Sequence, residues 1–135
     1  MALQLSAAVR NAMLDAIETT IGTSAVLKIR TGAPPASVAT ADSGTVLATL
    51  TLPSDWMAGA SSGSKAKSGT WEDASADAAG TAAHYRIYAS DGTTAHLQGT
   101  VTATGGGGDL TVDNVVFAAG QSFTVTSYSW TAANS

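Results

Sequence analysis

His84-Tyr85-Arg86-Ile87-Tyr88-Ala89-Ser90-Asp91-Gly92-Thr93-Thr94-Ala95-His96-Leu97-Gln98-Gly99-Thr100-Val101 decides the fold class. Two alternating runs flank Asp91-Gly92, the strongest short-range signature of a β-hairpin. An even loop would oppose Ile87 to His96 and Arg86 to Leu97, mixing polar and apolar side chains on both faces. An odd loop over Ser90-Asp91-Gly92 opposes Tyr85 to Leu97 and Ile87 to Ala95, which gives one coherent apolar face. Gly92 supplies the positive φ that such a loop needs. The spacing therefore predicts a central hairpin with Tyr85, Ile87 and Leu97 in the core.

Upstream, 6–21 reads as the one convincing helix. Ser6 is placed to cap it, Val9, Met13, Ile17 and Ile21 recur every four residues beside Ala12 and Ala16, and Gly22 follows as the stop. Asp15 and Glu18 fall on its polar side. The expectation is a helix laid over the sheet; an oligomer seam is the sharper alternative, and no sustained heptad repeat favours it. The run 25–31 alternates, with Leu27 and Ile29 inward and Lys28 and Arg30 outward, until Pro34-Pro35 ends any ladder. A loop reaches Gly44. The run 45–52 is a second strand, with Val46, Ala48, Leu50 and Leu52 on one face. A weaker strand signal covers 65–71, an acidic connection follows over 72–81, and after the hairpin Gly105-Gly106-Gly107-Gly108 reads as a mobile tip before two further strands, 110–117 and 122–130. With the hairpin this makes about seven strands with frequent turns. The expected fold is mainly β: one domain, an antiparallel sandwich or barrel over 24–130 behind one N-terminal helix.

Composition limits what such a domain can do alone. Leu, Ile, Val and Phe supply only 24 of 135 residues, whereas Ala, Gly, Ser and Thr supply 75. Low net charge, −4, argues against disorder as the outcome. A thin core with few charges instead points to stabilisation by neighbouring subunits, and a homo-oligomer is expected. The six Lys and Arg form no basic stripe, so no nucleic-acid partner is expected. No run approaches the roughly 18 apolar residues of a membrane helix, and the start lacks a basic region, so neither a membrane span nor a signal peptide is expected. Without cysteine there is no disulfide, thiolate site or Cys nucleophile.

Chemical motifs are scarce. His84 and His96 would share the outer face of the hairpin but lack a third ligand, so both read as surface histidines rather than a metal site. Asp109 and Asp113 lack the spacing of a calcium loop, and the four glycines lack the Lys-Ser/Thr and helix of a phosphate loop. Ser62-Gly63-Ser64 has no acid–base partners, and Glu72, Asp73 and Asp77 lie in a segment that reads as exposed. No catalytic residue, cofactor or metal is assigned, and a non-enzymatic protein is expected. The aromatic residues offer a surface instead. Trp56, Trp71, Trp130, Tyr88 and Tyr128 suit a binding face, although tryptophans filling a core short of bulk is the preferred reading. For subunit contacts the candidates are Trp56 above all, then Met57, Val9, Met13, Tyr88 and Trp130.

Three stretches together carry a resemblance: the helix run Arg10-Asn11-Ala12-Met13-Leu14-Asp15-Ala16-Ile17-Glu18-Thr19-Thr20-Ile21-Gly22, then Leu50-Thr51-Leu52-Pro53-Ser54-Asp55-Trp56, then Tyr85-Arg86-Ile87-Tyr88 with its Asp91-Gly92 turn. In that order the chain resembles small proteins encoded among the virion structural genes of tailed bacteriophages and prophages. The resemblance implies a virion component, made in the bacterial cytoplasm. By analogy the preferred role is capsid decoration, with the major capsid protein and further copies of itself as partners. The alternative is a tail-associated receptor- or glycan-binding module.

Overall fold

The computed structural model describes residues 3–132. In chain order the elements are α1 (Ala7–Ile21), β1 (Val26–Arg30), β2 (Val46–Thr51), β3 (Ser64–Ala66), β4 (Trp71–Asp73), β5 (Gly80–Thr81), β6 (His84–Tyr88), β7 (Ala95–Ala103), β8 (Leu110–Val112), β9 (Val116–Phe117), β10 (Phe123–Val125) and β11 (Ser129–Thr131). The fold is mainly β with one N-terminal helix. A curled five-stranded sheet, ordered β2-β1-β6-β7-β8, forms a half-barrel. Three two-stranded ladders, β10-β4, β11-β3 and β5-β9, complete the architecture among the described residues. No helix among them is long and apolar enough to cross a membrane.

The hairpin of β6 and β7 forms, but two residues out of the expected register. Ile87 faces Leu97 and Tyr85 faces Gly99, while Tyr88 faces Ala95. The parity is unchanged, so Tyr85, Ile87 and Leu97 do share a face. Two causes set the shift. Asp91 Oδ1 accepts from Thr93 N (2.8 Å) and Thr94 N (2.9 Å), drawing both threonines into the turn. The break in register between Ile87 and Tyr88 then leaves His96 as an extra, bulged residue. Gly99 fits the new register, because a Cβ there would lie 2.8 Å from the Tyr85 ring.

Other boundaries also differ from expectation. The 65–71 run is not one strand but the ends of β3 and β4, joined where Lys67 N and Ser68 N donate to Tyr128 O and Trp56 O. The 110–117 run breaks at Asp113-Asn114, whose side chains accept backbone N–H groups and so replace the ladder locally. The 122–130 run likewise splits into β10 and β11. One neighbouring pair in the main sheet, β7 and β8, is parallel rather than antiparallel. The glycine run makes that short return possible. Cβ atoms at Gly106 and Gly108 would stand 2.7 and 2.9 Å from Thr102.

Bulk in the core is concentrated in one aromatic cluster. Trp56 lies 6.0 Å from Trp71 and 5.7 Å from Trp130, and Tyr128 joins Trp71, Trp130 and Tyr85 at 5.4 to 6.0 Å. Each indole N–H donates, to Gly22 O, Ser68 O and Tyr128 Oη respectively for Trp56, Trp71 and Trp130. Tryptophan thus fills the space that 24 aliphatic and Phe side chains leave.

Candidate functional site

Helix α1 is inverted relative to an ordinary surface helix. Its ends are as the sequence predicts: Ser6 Oγ accepts from Val9 N at 3.2 Å, and Gly22, at φ +95°, donates to Glu18 O. Its faces are not. All three charged side chains turn toward the body of the protein. Arg10 Nη1 donates to Ala132 O (3.4 Å), Asp15 Oδ1 accepts from Lys65 Nζ (2.7 Å) and Ala60 N (3.1 Å), and Glu18 Oε2 pairs with Lys65 Nζ (2.7 Å). Asn11 Oδ1 accepts from Gly63 N at 2.8 Å. Leu14 and Ile21 are buried beside them.

Over its first three turns the exposed positions are apolar, followed by Thr19 and Thr20 at the C-terminal end. Ala8, Val9, Ala12, Met13 and Ala16 form one exposed stripe, with Val9 46% and Met13 51% exposed. The expected packing of Val9 and Met13 onto the sheet is therefore corrected, while Ile17 and Ile21 do face the core. The cause is Lys65, 2% exposed, which takes two carboxylates and so rotates the acidic side of the helix inward. Burial alone would lower the Lys65 pKa, but Asp15 and Glu18 outweigh it and hold the ammonium above its ordinary value. The hydrogen bonds from Lys65 and from Ala60 N hold the Asp15 carboxyl below its own.

The other expected contact residues divide. Trp56, Met57 and Tyr88 are at most 1% exposed and present no surface to a partner: Trp56 lies in the aromatic cluster, and Tyr88 is held against Asp42 and Arg30. Trp130 is partly buried at the rim of that cluster. Val9 and Met13 are the two that are exposed, each over about half its surface.

A second cluster lay outside sequence reasoning altogether. Strand β6 is buried on both faces, so the outer-face residues His84 and Arg86 are 0% and 2% exposed. The loop 31–45 covers them. Arg86 Nη1 and Tyr88 Oη donate to Asp42 Oδ1 (both 2.8 Å), Arg30 Nη2 donates to Asp42 Oδ2 (2.9 Å), and Arg86 also reaches Ser37 O, Thr40 O and Gln98 Oε1. Arg30, expected outward in water, is thus 7% exposed. His84 is not a surface histidine: its Nδ1 meets Gly32 O at 2.7 Å, and since a carbonyl only accepts, that nitrogen carries the proton. His96 is exposed, so the two histidines do not share a patch. Burial would raise the Asp42 pKa, but Tyr88 and the two guanidiniums overcome it and hold the carboxyl below its ordinary value. The acidic connection also has a use: Asp73 Oδ2 accepts from Thr49 N (2.9 Å) and Asp77 N donates to Leu47 O (2.7 Å), closing the free edge of β2.

Among these groups, α1's apolar stripe is the feature that no part of the described chain completes. No family model, curated protein or solved structure matches the chain.

Proposed function

We propose that the protein is a non-enzymatic structural component that assembles through the outer face of α1, and that its setting is the virion of a tailed bacteriophage. The observation that carries the association is the inverted helix. A surface helix ordinarily turns charge to water, whereas here Arg10, Asp15 and Glu18 are engaged by the body of the protein, Asp15 half-exposed at the edge, and the outer stripe is Ala, Val and Met. A face without charge is self-complementary, as an isologous contact between identical copies requires. Alanine at every fourth position lets a second backbone approach closely, and Val9 and Met13 supply the adaptable bulk. The thin core agrees with this, since subunit contacts bury surface that the lone domain leaves wet.

The virion assignment rests on the sequence resemblance, and capsid decoration is its preferred form, with the major capsid protein as the second partner. Quantifying the chain in purified particles tests it. A decoration protein is present in numbers that track the major capsid protein. A tail-borne module is present in a few copies, and absence from particles overturns the assignment.

A further inference from the structure

Behind α1, a groove of about 370 Å³ runs between the helix, β7 and β11. Its apolar floor includes Ile17 and Leu97, and the rim of Trp130 stands along one side. Tyr85, Tyr128 and Asp109 supply its polar groups. That volume is at the small end of ligand sites, the scale of one or two rings rather than an extended chain.

The polar groups are arranged with one donor left over. Trp130 Nε1–H donates to Tyr128 Oη at 2.8 Å, and Tyr128 Oη lies 2.7 Å from Tyr85 Oη. Burial pushes both tyrosine hydroxyls above their ordinary value, so each keeps its proton at neutral pH. Two hydroxyl protons share one contact, so the second needs another acceptor. Asp109 lines the same groove, and its charge acts on both hydroxyls. Its Oδ2 is held by Thr100 N (2.9 Å) and Thr100 Oγ1 (3.1 Å), which fixes the carboxylate in place. A preset acceptor and a surplus donor beside an aromatic rim match the alternating donors, acceptors and apolar faces of a sugar.

Rival ligands fit less well. No Lys or Arg lines the groove, and Asp109 would repel an anion. A quaternary ammonium needs several ring faces around it. Here Tyr85 and Tyr128 are 2% and 6% exposed, leaving Trp130 as the accessible ring. We propose that the groove binds a neutral saccharide ring, stacked on Trp130 and Leu97 and hydrogen-bonded to Asp109 and the tyrosine pair. This is independent of the association through α1, which uses the opposite side of the helix.

The test is an amide-resolved NMR titration of the full chain with the methyl glycosides of glucose, galactose, mannose and N-acetylglucosamine. At least one should give saturable shifts centred on Leu97, Asp109 and the Trp130 indole N–H. Asp109→Asn should weaken that binding about tenfold or more, because a charge-assisted hydrogen bond is lost. Tyr85→Phe, which keeps the ring and removes the hydroxyl, gives a second reading if the first variant proves unstable; it too should weaken binding. The proposal is overturned if no glycoside shifts these residues, if tetramethylammonium shifts them more strongly, or if the variants that fold bind undiminished.

Discussion

Helix α1 and strand β6 solve opposite halves of one problem. Strand β6 carries His84, Arg86 and Tyr88 on the face a sequence reading gives to water, yet the loop 31–45 folds over that face and supplies acceptors for them. Every side of β6 is closed from within the chain. Helix α1 carries charges that find their partners inside, and its apolar stripe faces out with nothing from the described chain upon it. One element is covered by its own chain and the other is left partly uncovered. Burying polar groups is acceptable when the chain brings its own partners, and the exposed apolar stripe is the surface that the proposed association would cover.

Substitutions in β6 should cost the most stability. Ile87→Ala should cost about 4 kcal/mol, toward the top of the ~2–5 kcal/mol range for such truncations, because Ile87 is 0% exposed and flanked by strands on both sides. Chemical denaturation reads this directly. A cost near zero would mean that β6 is not the closed centre described.

Asp42→Asn comes next, at about 3 kcal/mol. Removing one member of a buried ion pair costs ~3–5 kcal/mol, and the lower end applies because the Asp42 side chain keeps 37% of its surface in water. The same carboxyl gives an acid signature. Its folded pKa lies below 3.8, so its contribution is present above pH 3.8 and disappears as the pH falls through the lower folded value. Thermal unfolding followed through that window should show a step that Asp42→Asn lacks.

Beneath α1 the sign reverses. The Lys65 pKa is raised above 10.5, so its stabilisation is complete below pH 10.5 and is lost as the pH climbs through the folded value. Melting curves in alkaline buffers should fall in that range for the native chain and stay flatter for Lys65→Met. Identical alkaline profiles would separate the inward turn of the helix from its ion pairs.

The smallest effect on folding belongs to the outer stripe. Met13→Lys should change monomer stability by no more than about 0.5 kcal/mol, as for surface positions generally. His96→Ala, at the exposed bulge, should behave the same way.

Much of this contrast was legible in the sequence, and the missing part has a common cause. Helix ends and the inner faces of β1, β2 and β6 follow from local patterns, because capping and alternation act over a few residues. The hairpin register slipped because Asp91 gathers Thr93 and Thr94 into the turn and His96 bulges, neither of which alternation reveals. The two buried cation sites were invisible for a different reason. Arg86 meets an acid 44 positions earlier in a loop, and Lys65 meets acids on a helix about as far upstream. Such pairs are created by topology, and a single sequence does not show it. Trp56 and Met57 were expected at a contact for the same reason: large side chains after a strand end suit an interface or a core, and the aromatic cluster decides for the core.

Everything proposed for α1 depends on its outer stripe joining copies of this chain. Sedimentation equilibrium of the full chain, run beside Met13→Lys, reads this from the mass in solution. The native protein should run at a mass of two or more chains, and the variant as an equally stable monomer. A native protein that remains monomeric at every concentration, or an oligomer that Met13→Lys leaves intact, would contradict it.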